Sequence, residues 1–244
     1  MIRVDNLVKV FGPRRAVDGV SLSVETGTVL GFLGPNGAGK TTTIRMIAGY
    51  LKPTSGQIYV NGVNMLADAV GGQRHIGYMP ERTPLYEEMT VEAFLAFIAE
   101  LRGFRGAARA EKVDAALTAC MLQPVRRQVI DTLSKGYRQR TCLAQAILHD
   151  PPVLLLDEPT EGLDPNQKKV VRDMIIAMGK KKVIMISTHV LEEVEAICSR
   201  VIIISGGRVV ADSTPADLTA GGEKLEEVFR RITTTEDAAK EVTA

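Results

Sequence analysis

Residues 34–41 read Gly34-Pro35-Asn36-Gly37-Ala38-Gly39-Lys40-Thr41 and fit the pattern G-x-x-x-x-G-K-[ST]. The dense apolar run Val29-Leu30-Gly31-Phe32-Leu33 precedes them and reads as a fully buried strand. A helix is expected to follow, from about Lys40 to Gly49. Glycines let consecutive backbone N–H groups curl around phosphate oxygens where side chains would block approach. The start of the helix adds its positive end. Lys40 is then placed to reach β- and γ-phosphates, and the Thr41 hydroxyl to bind Mg²⁺. Asn36, Gly37, Ala38, Gly39 and Thr42 complete the expected cradle.

A phosphate loop of this kind needs an acidic element for its metal. Val153-Leu154-Leu155-Leu156 ends in Asp157-Glu158, two carboxylates at the close of a buried parallel-type strand. Ligands bind beyond the carboxyl ends of such strands, so both acids should face the nucleotide. Asp157 is expected to hold Mg²⁺, directly or through water, leaving Glu158 free to orient and polarise an attacking water. The next buried strand, Val183-Ile184-Met185-Ile186, runs through Ser187-Thr188 to His189. Its neighbouring strand end lets His189 hydrogen-bond the γ-phosphate and the water.

Composition narrows the remaining choices. Thirty Lys and Arg against 29 Asp and Glu give a net charge of +1, too little excess for a generally basic nucleic-acid binder. No uninterrupted apolar run approaches the roughly 18 residues that a bilayer span needs. The opening MIRVDNLVKV lacks the features of a secretory signal. Cys120, Cys142 and Cys198 are odd in number and widely spaced, offering neither a disulfide framework nor a metal pattern, which suits a reducing cytosol.

The expected architecture is α/β. Ile2, Val4, Val8 and Val10 share one parity, as do Val20, Leu22 and Val24, which suits half-buried strands. Asn61-Gly62 closes a further hairpin. Val91, Phe94, Leu95, Ile98 and Leu101 follow helical spacing, Val113, Leu117 and Met121 suggest a second helix, and a third begins after Ser134. A helix near Gln167–Met178 is expected to be capped by Gly179. One domain is expected. Residues 1–82 and 151–214 form a β subdomain with a phosphate-loop (RecA-like) core, 83–150 an α-helical subdomain, and 215–244 a helical tail.

Leu133-Ser134-Lys135-Gly136-Tyr137-Arg138-Gln139-Arg140 opens that third helix, with Ser134 as a plausible N-cap and Gly136 in the first turn. Exposed N–H groups, a hydroxyl and a glycine suit either a second anion site or a plain helix cap. The ordered set resembles the ATP-binding cassette family, the nucleotide-binding subunits of ABC transporters, over almost the whole chain. GPNGAGKTT resembles the Walker A motif, LLLDEP Walker B, and LSKGYRQR the signature that other P-loop ATPases lack. Glu161-Gly162-Leu163-Asp164 resembles the D-loop, and Ser187-Thr188-His189 the H-loop.

The resemblance implies a head-to-tail homodimer with ATP and Mg²⁺ between the subunits. Ser134, Lys135 and Gly136 would meet the γ-phosphate bound to the partner's Lys40, with Asp164 linking the two sites. Phe11 stands where the family stacks an aromatic on adenine, and Val17 would pack against sugar and base. Two departures stand out: LSKGY in place of LSGGQ, and Glu81 where the Q-loop segment carries Gln. A carboxylate is still a good oxygen ligand for Mg²⁺, so Glu81 joins Thr41 and Asp157 as an expected metal ligand. Pro80-Glu81 and the tail LEEVFRRIT resemble cassettes of type 2 exporters and of the gliding-motility and copper-enzyme-maturation systems.

The implied function is ATP hydrolysis that drives a separate membrane permease from the cytoplasmic face, with peripheral membrane association and no nucleic-acid partner. The helical insert, including Pro84-Leu85-Tyr86, is the expected docking surface. A soluble cassette acting on a non-membrane partner, a module that holds ATP without hydrolysing it, and another P-loop enzyme such as a small-molecule kinase are the alternatives.

Overall fold

The computed structural model describes residues 1–241. Antiparallel strands β1 (Ile2–Phe11) and β2 (Arg14–Val24) lead into β3 (Val29–Leu33) and helix α1 (Lys40–Ile47). A second hairpin, β4 (Ser55–Val60) and β5 (Val63–Asn64), turns at Asn61-Gly62, where both residues have positive φ. Next come α2 (Ala69–Gln73), β6 (Ile76–Met79) and the helices α3 (Val91–Leu101), α4 (Gly106–Ala119) and α5 (Lys135–Ile147). Alternating elements return with β7 (Val153–Asp157), α6 (Pro165–Gly179), β8 (Val183–Thr188), α7 (Leu191–Ile197) and β9 (Arg200–Ser205). The hairpin strand β10 (Arg208–Ser213) and helices α8 (Pro215–Leu218) and α9 (Leu225–Glu241) finish the described chain. Residues 242–244 of the expected helical tail lie outside it.

Two sheets carry the fold. One is antiparallel, in the order β2-β1-β4-β5. The other runs β10-β9-β3-β8-β7-β6, parallel except for the β9–β10 hairpin. Side chains on its strands alternate between two buried faces, which is why the runs are apolar throughout. Val153 and Leu155 of β7, with Val183 and Met185 of β8, pack with the antiparallel sheet and α1. Leu154, Leu156, Ile184 and Ile186 face the other way, into a core shared with α3, α4 and α5. The loops after β3, β7 and β8 therefore leave one edge of a rigid slab.

Four sequence expectations fail for identifiable reasons. The parity of β1 does not persist: Asn6 adopts φ 46° within a register shift, so Leu7 rather than Val8 enters the core after Ile2 and Val4. Leu101 is 68% exposed at the end of α3. Met121 lies beyond α4 with φ 51° and is also exposed. Gly179 is not a left-handed cap. It closes α6 as a buried helical residue, and Lys180 follows in the right-handed region. A Cβ on Gly179 would stand 2.5 Å from Val29 Cγ2, so close packing against β3 accounts for the glycine.

Candidate active site

The loop between β3 and α1 has a conformation only glycine accepts easily. Gly39, the N-cap of α1, sits at φ 106°, and a Cβ there would stand 2.5 Å from the Ala16 carbonyl. Inside the loop Ala38 N–H donates to Pro35 O at 3.1 Å, and Thr43 Oγ1 donates to Gly39 O at 2.9 Å. Lys40 folds back over it, donating from Nζ to the carbonyls of Gly34 (2.7 Å) and Pro35 (3.2 Å). Burial lowers the pKa of this ammonium, while the charges of Glu158, Asp157 and Glu81 oppose the shift.

Register between β7 and β8 builds the acidic side. Asp157 pairs with Ser187, which brings Glu158 and His189 to adjacent strand ends. Asp157 is 1% exposed. Its Oδ1 accepts from the Ser187 hydroxyl and from Thr41 Oγ1 at 3.4 Å, whereas its buried Oδ2 has no hydrogen-bond partner. Burial raises the Asp157 pKa, against the lowering effect of the two hydroxyl donors. Glu158 sits at φ 51°, a strained region for a residue with a side chain, and its N–H donates to Ser187 O at 3.0 Å. Its Oε1 lies 2.9 Å from His189 Nδ1. Burial raises the Glu158 pKa too, and the His189 and Lys40 contacts pull it back.

A cleft of about 750 Å³ opens beside these groups. Lys40, Thr41, Thr42, Glu158 and His189 line it, with Asn36, Gly37 and Gly39 from the loop. Phe11 projects at the rim, 47% exposed, with the Lys9 ammonium 5.0 Å from its ring centroid. Glu81 faces the cleft from beyond β6. Val17 and Ala38 are buried and do not line it. Ala16 takes the wall position expected of Val17.

Arg14 and Ala16 are lining residues that the sequence reading did not single out, and Glu161 of the D-loop-like segment lines the cleft as well. Arg14 Nη2 donates to Gly37 O at 3.1 Å, tying the β1–β2 turn to the phosphate loop. The only sequence signal for it was a basic pair just after Phe11 and Gly12-Pro13.

Ser134, Lys135, Gly136 and Asp164 do not line this cleft. Ser134 caps α5, accepting from Tyr137 N–H at 3.4 Å. Asp164 caps α6, accepting from the N–H groups of Asn166 and Gln167, both at 3.0 Å. The two caps are neighbours: a Cβ on Gly136 would meet the Gln167 side chain at 2.5 Å. The Lys135 ammonium fills the space a Cβ on Gly162 would need, and Gly162 has φ 66°.

The family model described as ABC transporter matches residues 17–161. Over 221 residues the chain is 39% identical to the probable multidrug ABC transporter ATP-binding protein YbhF of Escherichia coli (strain K12). That match covers 90% of this chain but only 38% of the relative, so the chain spans well under half of that protein's length. The bacitracin transport ATP-binding protein BcrA of Bacillus licheniformis is 37% identical over 87% of this chain and 69% of its own. A solved ATP-binding subunit of an ABC transporter superposes with a TM-score of 0.86, at 30% identity, covering 96% of this chain and 99% of that one. With its phosphate loop, paired strand-end carboxylates and capped signature helix joined on this fold, the chain belongs to the ABC transporter family as one of its ATP-binding domains.

Proposed function

We propose that this chain binds and hydrolyses ATP and couples that cycle to a separate membrane permease, as an exporter subunit. The observation that carries the reading is the convergence on one cleft of Lys40, Thr41 and the Glu158–His189 pair, with buried Asp157 bonded behind Thr41. Lys40 exchanges its loop carbonyls for the β- and γ-phosphates, and the loop N–H groups hold the rest of the phosphate chain. Phe11 stacks on the base. Glu158 takes up the proton of the attacking water, and His189 orients both the carboxylate and the γ-phosphate.

The residues present fit Mg²⁺. Asp157 Oδ2 is a buried carboxylate oxygen with no partner, and the Thr41 hydroxyl stands beside the other oxygen of the same group. Among the described residues no group of three or more His, Cys, Asp or Glu is placed to hold a metal by itself. Mg²⁺ commonly uses one or two carboxylates with substrate phosphates. Asp157 and Thr41, with Glu81 across the cleft, would hold it, and the ion would neutralise charge on the β- and γ-phosphate oxygens. Glu81 also reports occupancy toward the helical insert.

Ser134, Lys135, Gly136 and Asp164 do not line the chain's own cleft, which suits a head-to-tail homodimer in which they meet the nucleotide of a second copy. No described helix is long and apolar enough to cross a membrane, and in this reading the span belongs to the permease. A groove between α1, α2 and the helical insert offers a docking surface for it. Arg45, Arg74, Arg102, Tyr50 and Pro84 line its sections, and no carboxylate does. The export direction follows the multidrug and bacitracin roles named for the relatives. Association with the membrane would then be peripheral, on the cytoplasmic face. Phosphate release from ATP by the purified chain tests the catalytic part. Absence of release by the chain both alone and with its co-purified permease would overturn it.

A further inference from the structure

Gln139 is a polar side chain of α5 that hydrogen-bonds the strand end carrying Glu158. It is 4% exposed, and its Nε2 donates to the carbonyls of Glu158 (3.3 Å) and Pro159 (2.9 Å). A buried amide of this kind is satisfied only while both carbonyls stay where they are. The Glu158 backbone is the part that needs holding, because φ 51° is unfavourable for a residue with a Cβ. Three bonds fix it: its N–H goes to Ser187 O of β8, and its C=O receives Glu161 N–H of its own turn (3.2 Å) and Gln139 from α5. The rest of the helix start is seated on the same segment, through Lys135 over Gly162 and Gly136 against Gln167.

We propose that Gln139 is a positioning residue: it holds Glu158 in its left-handed backbone conformation and so aims the carboxylate at His189 and the cleft. The proposal rests on the reading of Glu158 as the group that activates water. Without the amide, the Glu158 carbonyl keeps only the Glu161 N–H of its own turn (3.2 Å) and its tie to α5 is lost, so the backbone can relax toward an ordinary φ, which swings the carboxylate away from His189 Nδ1. Substrate binding relies on Lys40 and the loop and stays intact.

The test is steady-state ATP hydrolysis by the full chain carrying Gln139→Met, which keeps length but removes both donors. Binding of a fluorescent ATP analogue is measured in parallel. The expected result is a fall in kcat of about tenfold, with KM and analogue affinity within about twofold of the parent. Gln139→Asn keeps the amide one methylene short and should give a smaller loss of the same kind, so the question stays decidable where the Met variant does not fold. In a Glu158→Gln background the Met substitution should change the residual rate by less than about twofold, because the group it positions is already lost. The proposal is overturned by an unchanged kcat, by an equal loss of analogue affinity, or by a full tenfold loss recurring in the Glu158→Gln background. Wild-type hydrolysis by Glu158→Gln itself would instead remove the underlying assignment of Glu158, separately from any effect of Gln139.

Discussion

His189 Nδ1 lies 2.9 Å from Glu158 Oε1, at the ends of two neighbouring parallel strands. The pair is a product of register. Asp157 aligned with Ser187 leaves Glu158, just past the end of β7, and His189, just past the end of β8, within hydrogen-bond reach of each other. Glu158→Gln should keep nucleotide affinity and lower phosphate release by about 10²- to 10⁴-fold. His189→Ala should cost less, because the carboxylate survives. Rapid-quench measurement of both variants checks the order, and a greater loss in the histidine variant would reverse the assigned roles.

Lys40 is buried and held by two loop carbonyls, so its removal takes away a charge-assisted contact to phosphate without opening the core. Such a contact contributes about 1.5–3 kcal/mol. Lys40→Ala should therefore weaken ATP binding by about tenfold to a hundredfold. Calorimetric titration reads this directly, and an unchanged dissociation constant would discredit the phosphate-loop assignment.

A pH effect arises away from the cleft. His149 Nε2 lies 3.1 Å from Ile76 O, and burial, with Arg102 nearby, lowers the His149 pKa to about 4 from 6.5. The folded chain thus prefers the neutral ring. The resulting stability is fully present above about pH 6.5 and is lost as pH falls through about 4. His149→Gln should flatten the decline of Tm between those values. Parallel Tm–pH curves for parent and variant would contradict this origin.

Gly179 separates two opposing effects. Helix propensity alone makes Gly→Ala stabilising by about 1 kcal/mol. Packing predicts the reverse, since the new Cβ would stand 2.5 Å from Val29 Cγ2 and overpacking costs about 1–3 kcal/mol. Gly179→Ala should lower Tm by a few degrees. A higher Tm would show that β3 and α6 separate easily.

The cleft was legible where function is written in consecutive residues. The loop 34–41, the Asp157-Glu158 strand end and His189 announce themselves because each couples a local element to a chemical group. Arg14 and Gln139 were not legible. Arg14 becomes part of the site only when the β1–β2 turn folds onto Gly37, and Gln139 only when α5 packs on the end of β7. Val17 illustrates the opposite case: its place in the motif order suggested contact with the nucleotide, but the strand turns it inward and leaves Ala16 at the surface. Asn6 shows the same limit for the fold. A single left-handed residue reverses the parity of β1; asparagine tolerates that conformation better than most residues, but its neighbours' hydrophobicity does not mark the bulge.

Sedimentation of the Glu158→Gln chain with and without ATP and Mg²⁺ tests the central claim most directly. Slow hydrolysis preserves the nucleotide, so two molecules closed around two ATP should persist. The account predicts a monomer without nucleotide and a dimer with it, and the dimer should vanish when Ser134→Phe is added to block the signature surface. A monomer under both conditions would contradict the account.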